Sequence, residues 1–520
     1  MKRILVTGDT STANSGFAIY KRNVLNGLLK YGFDVGEVGN GGTVLDKKRV
    51  PWRYYPTAVL PDDPKIGEYR SNPANEYGVW RWENIAIKDR CTHTVSFDDP
   101  WQFSHVMMSP LRPYYTVIAS PTIDSIPQRQ DFLQIFSQVD HLYAYTNWGC
   151  DYLKENGLNC LGSIGMGIDP NVMKPLNKKE LRQKYRLPED AIIFGFVARN
   201  QIRKRLPELI KAFSIYLKKA PADIAARSYL YLHTSSPDAG WNLATHLLGD
   251  GVINKVIFTY MCRKTGEIFC TTYKDDRTFS PFSGEMTAFL PNVVYSPSED
   301  KLNEIYNLFD YYVQCTVAEG FGAPCLEAAA SNVPLIGTDY SATKELVEVF
   351  GGQTVPCLLN FDNNVMAERA CIDPEIWSEA LLKYALEKPV VNSRLTVLEK
   401  FTWTHIVDKV IEAIDKADPP KERWDAPIKQ YGFPPIKGDM TATQFVHLLS
   451  SHTHLKWSNY NLLSLRSLNT QIDLRGKQLM MVSPETIAQR YQEVINKTNQ
   501  IERLRCGVDP LPNEDYLVTS

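Results

Sequence analysis

The sequence has no long apolar run, no regular cysteine framework and almost no net charge. A formal charge of −2 at pH 7 over 520 residues gives no whole-chain indication of a nucleic-acid or anionic-membrane partner. The longest apolar runs fall far short of the roughly 20 residues that a membrane-spanning helix requires. The opening MKRILVTGDT has two basic residues and a short apolar run, which is typical of a first β-strand rather than of a secretory signal. We therefore expect no membrane span and a cytoplasmic location.

The ten cysteines are spread along the chain without a regular spacing. Cys315, Cys325 and Cys371 lie in apolar, strand-like or helical stretches, where buried reduced thiols are common. Cys262 and Cys270 are spaced somewhat like a zinc knuckle, but Thr265 stands where a second ligand is needed. The sequence thus predicts neither disulfides nor a metal site.

The order of apolar and amphipathic stretches predicts an α/β fold with parallel sheets. A single hydrophobic core stops growing near roughly 250 to 300 residues, so this chain needs at least two. Runs at 3–8 and 33–38 flank an amphipathic helical stretch at 18–29, which makes a βαβ unit. Further strands are expected at 93–97, 115–119 and 141–146 and, in the second half, at 192–197, 229–233, 256–260, 311–315 and 334–337.

Glycine- and proline-rich text at 162–175 separates the two halves, which have the same alternating pattern. Helical patterns return at 441–449 and 483–505, after a proline-rich linker. The predicted parts are Rossmann-like domains over 1–172 and 173–400, an irregular insertion at about 261–290, a crossover helix over 401–425, and a linker with a helical appendage over 426–520.

A glycine-bearing loop follows the strand predicted at 311–315. Gly320 and Gly322 permit close backbone approach to a ligand, and Pro324 suits a first helical turn. The N–H groups of a helix that begins there would bind phosphate, and Glu319 and Glu327 would accept hydrogen bonds from hydroxyls. The alternative is that Glu319 is an ordinary loop acid and Glu327 complements the helix dipole.

A basic loop follows the strand predicted at 192–197. Its cations lie between Arg199 and Arg205, where they oppose the dipole of the next helix and therefore need another reason to be present. Such a cluster at the carboxyl end of a strand can neutralise a diphosphate. The alternative is a solvated helix start.

Together the two loops resemble the glycosyltransferases of family four, whose GT-B fold has two facing Rossmann-like domains. Glu319 and Glu327 have the family's Glu-x7-Glu spacing, and Lys204 follows Arg199 by five positions, as in the family's diphosphate-binding pair. The resemblance extends more loosely from about residue 3 to 415, through Gly167-Ile168-Asp169 with Lys174-Pro175 and through Phe401-Thr-Trp403.

This resemblance implies a retaining glycosyltransferase that uses a nucleoside-diphosphate sugar, expected to be a UDP-sugar, without a metal or resident cofactor. Residues 1–172 would bind the acceptor and residues 173–400 the donor. Glu319 would contact the transferred sugar and Glu327 the ribose, while Arg199 and Lys204 would stabilise the leaving diphosphate. Further donor contacts are implied for Gly16, Phe321, Gly322 and Ala323.

The sequence departs from the family in the first domain. Family members commonly carry a histidine after the strand at 115–119, whereas Asp124 is the nearest candidate here. Asp98, Asp99 and Trp101 follow another strand and are candidates to face the acceptor, although aspartates are also common turn residues.

Three questions stay open at the level of sequence. The acceptor is unidentified, and a glycan, a modified nucleic acid and a protein all fit. A GT-B epimerase would share the fold and release free sugar without an acceptor. A non-catalytic scaffold that binds sugar nucleotides and uses the appendage for partners is the alternative from a different class.

Overall fold

The computed structural model describes residues 2–235, 238–292, 295–432 and 484–517, together with Met440, Thr441, Gln444, His447, Leu448, Met481 and Val482. The predicted α/β fold with two Rossmann-like units is confirmed. The helix predicted at 441–449 lies mostly outside the described residues.

The first unit is built on a parallel sheet of seven strands in the order β3-β2-β1-β4-β5-β6-β7. All five strands predicted in this half are present to within two residues, whereas β3 and β7 were not predicted. The strands are β1 (Arg3–Asp9), β2 (Asp34–Asn40), β3 (Arg53–Pro56), β4 (His93–Ser96), β5 (Thr116–Ala119), β6 (His141–Ala144) and β7 (Cys160–Ser163).

Helices cover both faces of this sheet. Successive side chains of a strand point to opposite faces, and because the strands are apolar at successive positions, both faces have to be buried. Ile4 and Val6 of β1 belong to the same core cluster as Val24, whereas Leu5 packs with Trp82 and Ile85. The helices are α1 (Gly16–Lys30), α2 (Ile66–Arg70), α3 (Trp82–Asp89), α4 (Pro100–Met108), α5 (Gln130–Phe136) and α6 (Asn147–Glu155).

The second unit has a nine-stranded sheet in the order β12-β13-β10-β9-β8-β14-β15-β16, with β11 paired to β10. The strands are β8 (Ile192–Val197), β9 (Ser228–His233), β10 (Val256–Cys262), β11 (Ile268–Thr272), β12 (Arg277–Thr278), β13 (Ala288–Phe289), β14 (Tyr311–Gln314), β15 (Leu335–Thr338) and β16 (Gln353–Val355). Its helices are α7 (Lys178–Lys184), α8 (Leu206–Lys219), α9 (Ala222–Arg227), α10 (Leu243–Gly249), α11 (Glu299–Leu308), α12 (Ala323–Ala330), α13 (Ser341–Val349) and α14 (Pro374–Glu387).

The insertion at 261–290 is more regular than predicted. After β10 the chain turns at Gly266 and returns as β11, antiparallel to β10, and β12 and β13 extend the same sheet edge. Gly266 has a φ of +71°, and its N–H donates to the carbonyl of Cys262 at 2.8 Å. Gly266 is a residue typical of such turns, but β11, β12 and β13 are too short for an alternation of apolar and polar residues to be recognised in the sequence.

A hairpin of β17 (Leu358–Asp362) and β18 (Ala367–Cys371) extends from the second unit to the first. The N–H of Glu368 donates to the carbonyl of Ile126 at 2.7 Å, and Arg369 pairs with Asp124 at 3.3 Å. The expectation that Cys371 is buried is wrong, because β18 belongs to a sheet of only two strands and Cys371 is exposed on it.

Within residues 2–432, as far as the structure describes them, the chain passes between the two units twice. The first passage lies between β7 and α7, where the predicted boundary at residue 172 falls, and the second joins α15 (Ser393–Lys400) to α16 (Trp403–Lys416). The passages are hydrogen-bonded to each other, because the N–H of Ile168 donates to the carbonyl of Phe401 and the N–H of Trp403 donates to the carbonyl of Ile168. Helix α16 packs on α1 of the first unit, with Val407 against Gly27.

The C-terminal segment, which the structure describes chiefly over 418–432 and 484–517, packs against the first unit. It contains a short β19–β20 pair (Met440–Thr441 and Met481–Val482) and the long helix α17 (Pro484–Arg505). Trp424 stacks on Tyr114 with ring centroids 5.2 Å apart, and the Tyr114 hydroxyl donates to Glu502 at 2.8 Å. Arg505 is buried, pairs with Glu502 at 2.7 Å and donates to the carbonyl of Trp424.

We expect Arg505→Ala to loosen this docked segment. Removing one partner of a buried ion pair leaves an uncompensated charge, which costs about 3 to 5 kcal/mol. Hydrogen exchange followed by mass spectrometry should show faster exchange in 418–432 and 484–517. The matched control is Arg503→Ala, because Arg503 lies in the same helix and makes a surface pair with Asp509. Equal protection in the two variants would contradict the role of Arg505.

Candidate active site

A cavity of about 730 Å³ lies between the two units, at the carboxyl ends of the strands of both sheets. Asp99 follows β4 and Asp124 follows β5 on the first unit, while Arg199 follows β8 and Glu319 follows β14 on the second. This arrangement brings most of the predicted site residues to one cavity. The predicted residues in its lining are Gly16, Asp99, Trp101, Asp124, Arg199, Lys204, Glu319, Phe321, Gly322 and Ala323.

The second unit contributes lining residues between 198 and 204, 319 and 324, and 364 and 369, which together are called the second-unit wall. An ion cluster lies at its centre. Glu319 pairs with Arg203 through Oε2 at 2.9 Å and with Lys204 through Oε1. Gln314 donates to the same Oε1 at 3.1 Å, and the N–H of Val317 donates to the carbonyl of Arg203 at 3.0 Å. The basic loop and the glycine-bearing loop are therefore bonded to each other through both side chains and backbone.

The cluster carries more positive than negative charge. Burial raises the pKa of Glu319, but Lys204 and Arg203 more than offset this and lower the pKa to about 2. Burial lowers the pKa of Lys204, and Glu319 opposes that change. Two cations thus share one carboxylate; Lys204 and Glu319 are buried, and Arg203 is partly exposed to the cavity.

The N-terminus of α12 adds to this positive charge. Gly322 has a φ of +96°, a conformation that glycine adopts without strain, and precedes the first residue of the helix. Pro324 lies in the first turn, as predicted from its position. A helix N-terminus carries roughly half a positive charge and free N–H groups, so it favours an anion in the cavity.

Arg199 and Arg203 differ from the arrangement that the sequence indicated. Arg199 lies in the lining, but its guanidinium group is held by both carboxylate oxygens of Asp238, at 3.0 and 3.1 Å. Arg203, and not Arg199, lies beside Lys204 on Glu319. Sequence reasoning missed Arg203, although it stands immediately before Lys204 in the same basic loop.

Glu327 lies behind the cavity lining rather than in it. Its Oε2 accepts a hydrogen bond of 2.5 Å from the hydroxyl of Tyr306 on α11. Burial raises the pKa of Glu327 to about 7, and the bond from Tyr306 only partly opposes this. Glu327 therefore changes its ionisation near neutral pH.

The first-unit wall begins at the N-terminus of α1. Ser15 caps this helix by accepting a hydrogen bond from the N–H of Ala18 at 3.1 Å. Gly16 lies in the lining, and a Cβ atom there would meet nothing within 4 Å. The N-terminal ends of two helices, α1 and α12, thus open into the same cavity.

The structure separates Asp98 from Asp99. Asp98 is buried against the backbone of Gly8 and is not in the cavity lining, which corrects the expectation that it faces an acceptor. Burial raises the pKa of Asp98 to about 8. Asp99 lies in the lining, accepts a hydrogen bond of 2.5 Å from the hydroxyl of Thr122, and has a pKa raised to about 6 by burial.

Asp124 and Trp101 lie farther along the same wall. Asp124 pairs with Arg369 of the β17–β18 hairpin, so the two units are linked by charge beside the cavity. Trp101 lies in the first turn of α4, is 46% exposed and packs against Phe132 with ring centroids 5.7 Å apart.

Within the described part of the chain, no three His, Cys, Asp or Glu side chains are grouped so that they could hold a metal ion. Nor is any of its helices long and apolar enough to cross a membrane.

Known proteins resemble this chain over different lengths. No family model matches it. The D-inositol 3-phosphate glycosyltransferase of Stackebrandtia nassauensis is 23% identical over 255 residues, which are 48% of this chain and 47% of that protein. The chain thus spans about half the length of this curated relative.

Two solved structures share the whole two-unit architecture. Anabaena Alr3699/HepE in complex with UDP and glucose is 13% identical, with a TM-score of 0.56 over 80% of this chain and 100% of that chain. Sucrose-phosphate synthase from Thermosynechococcus elongatus is 15% identical, with a TM-score of 0.53 over 80% of this chain and 99% of that chain. This chain therefore has the GT-B fold of the glycosyltransferases, with two facing Rossmann-like domains and a cleft between them.

Proposed function

We propose that this protein is a retaining glycosyltransferase that moves a sugar from a nucleoside-diphosphate sugar, a UDP-sugar, to an acceptor held by the first unit. The observation that carries the proposal is the buried cluster of Arg203, Lys204 and Glu319 at the N-terminus of α12. Its excess positive charge is complementary to a diphosphate.

The cluster also suits the chemistry of glycosyl transfer. When the bond between the anomeric carbon and the diphosphate breaks, negative charge develops on the leaving oxygen, and Arg203, Lys204 and the α12 N–H groups stabilise it. A new bond forms from the anomeric carbon to an acceptor hydroxyl, and the hydroxyl proton leaves with the diphosphate. Retention is supported by the Glu-x7-Glu spacing of Glu319 and Glu327 alone.

Glu319 retains capacity for the transferred sugar. A carboxylate has about four lone-pair positions, and Glu319 uses three for Arg203, Lys204 and Gln314. The remaining position accepts a sugar hydroxyl, while the bound cations keep the carboxylate ionised. The role of Glu319 is therefore to orient the donor sugar.

The donor base and the cellular location are supported more indirectly. Anabaena Alr3699/HepE, which shares the fold, has been solved in complex with UDP-glucose. Ten described cysteines are free thiols, in keeping with a cytoplasmic location. The scaffold alternative predicts donor binding without turnover, and the epimerase alternative predicts a free sugar epimer as product.

Glu319→Gln should lower donor turnover at least 100-fold. The neutral amide no longer forms ion pairs with Arg203 and Lys204, so it does not hold the donor sugar in the orientation needed for transfer. UDP release from UDP-glucose measures turnover, and early NMR spectra give the anomer of the product. We expect the α-anomer, as in the donor. The matched control is Glu348→Gln, an exposed residue of α13. A β-anomer would exclude retention, and undiminished turnover in Glu319→Gln would remove that residue's role.

Lys204→Met should weaken UDP binding by about ten- to a hundredfold, since a hydrogen bond to a charged group contributes about 1.5 to 3 kcal/mol. Isothermal titration calorimetry measures the change. Lys211→Met is the control, because Lys211 lies on α8 and makes an exposed pair with Asp250. Equal UDP affinity in Lys204→Met and Lys211→Met would contradict a diphosphate site at this cluster.

The affinity for UDP-glucose should rise with pH through Glu327. The proposed contact requires the ribose to reach Glu327 behind the present lining, and an ionised carboxylate accepts hydroxyl hydrogen bonds more strongly than a neutral carboxyl. The pKa of about 7 for Glu327 implies that its ionised fraction rises about tenfold between pH 6 and pH 8. The diphosphate of UDP-glucose does not titrate in this range. Binding by Glu327→Gln should be weaker at pH 8 and should lose the rise in affinity that is centred near pH 7. An unchanged pH profile in this variant would exclude Glu327 as the titrating group.

The same ionisation has a defined effect on stability. The folded-state pKa of Glu327 lies above its ordinary value, so the folded chain holds this proton more tightly than the unfolded chain. Its contribution to stability is therefore present at low pH and is lost as the pH rises from about 4.5 through 7.

A further inference from the structure

The first-unit wall of the cavity combines an exposed aromatic surface with carboxylates. Trp101 is the only exposed tryptophan in the part of the chain that the structure describes. Phe132 supports it from α5, and both rings lie in the cavity lining with Asp99 and Asp124. Two adjoining aromatic rings that line a cavity offer a flat apolar surface to a ligand.

The cations of this wall are already paired with carboxylates. Arg129 is bonded to both carboxylate oxygens of Asp131, at 2.7 and 3.0 Å, and lies over the ring of Phe132. Arg369, which reaches the cavity from the hairpin, pairs with Asp124. Arg203 and Lys204 share Glu319 on the opposite wall. Beyond the N-terminus of α1, the described residues of the first-unit wall therefore offer no unpaired cationic side chain to a phosphorylated or polyanionic ligand.

The carboxylates lie beside the donor loop. The Thr122 hydroxyl donates to Asp99, and the backbone of Gly320 is so close that a Cβ atom there would lie 2.6 Å from Cβ of Thr122. Asp99 is thus separated from the loop of Glu319 by one side chain. A hydroxyl group bound to Asp99 would lie next to the sugar bound to Glu319.

We infer that the acceptor is a neutral carbohydrate whose ring stacks on Trp101 and whose hydroxyl groups donate to Asp99 and Asp124. A pyranose ring has an apolar C–H face and a rim of hydroxyls, and this wall offers an aromatic face next to two carboxylates. The inference rests on the proposed function, since it assigns the acceptor end of the same cavity. It favours a glycan over a nucleic acid, because Arg129, the cationic side chain that the first unit contributes to the lining, is already paired with Asp131 and leaves no free side-chain cation among the described residues of this wall for phosphates.

Saturation-transfer NMR on the full chain tests the inference. The probes are the methyl glycosides of glucose, galactose, mannose and N-acetylglucosamine, each in the presence of UDP. At least one glycoside should show saturation at its ring C–H protons. Glucose 6-phosphate, a DNA duplex containing 5-hydroxymethylcytosine, and a serine- and threonine-containing peptide serve as competitors, and we expect each to bind at least tenfold more weakly.

Variants locate the glycoside. Trp101→Ala and Asp99→Asn should each weaken its binding at least tenfold, whereas Phe279→Ala, which removes an exposed ring from the 261–290 insertion, should not. Melting curves confirm folding, because Trp101 is nearly half exposed and contributes little to the core. Unchanged glycoside affinity in Trp101→Ala would overturn the stacking site.

The UDP signals distinguish a failure of the acceptor assignment from a failure of the proposed donor site. If UDP shows saturation but no glycoside does, the carbohydrate acceptor is excluded while the proposed donor site stands. Tighter binding of the phosphate, the duplex or the peptide than of every glycoside would also exclude it. If UDP itself shows no saturation, the proposed function fails, and this inference fails with it.

Discussion

The buried bonds of Glu319 to Arg203 and Lys204 are the interaction on which the organisation of the cleft depends. Burying charges is unfavourable by several kcal/mol for each ion unless they are paired. The pairing therefore fixes the basic loop after β8 against the loop after β14, and it places the N-terminus of α12 at the cavity. Lys204 or Glu319 left alone would be an uncompensated buried charge, so the cluster positions loops as well as providing a binding surface.

Much of the fold could be predicted from sequence because its strands are apolar and buried on both faces. Ile4, Leu5 and Val6 are fully buried, and a continuous apolar run of this kind is recognisable without a structure. The β17–β18 hairpin could not be recognised in this way, because Leu358, Phe361 and Met366 are exposed and the hairpin contributes little to a core. Its position depends on contacts with residues about 240 positions earlier, which no local pattern encodes.

The site was predictable at the level of loops but not of individual side chains. The sequence analysis predicted that the basic loop and the glycine-bearing loop form one site, and it assigned the diphosphate contact to Arg199. In the structure Arg203 pairs with Glu319, and Arg199 pairs with Asp238. Asp98 and Asp99 are adjacent after β4, so their side chains point in opposite directions. Asp98 points into the core and Asp99 into the cavity, and the sequence around them does not indicate which of the two faces the cavity. These choices depend on which neighbour supplies the nearest opposite charge, and that is a property of the folded chain.

The two passages between the units limit how the cleft can open. Ile168 lies beside Thr402, and its backbone is hydrogen-bonded to Phe401 and Trp403 on either side, so the two passages form one paired connection rather than two independent tethers. Any relative motion of the units must therefore displace both passages together at this pairing.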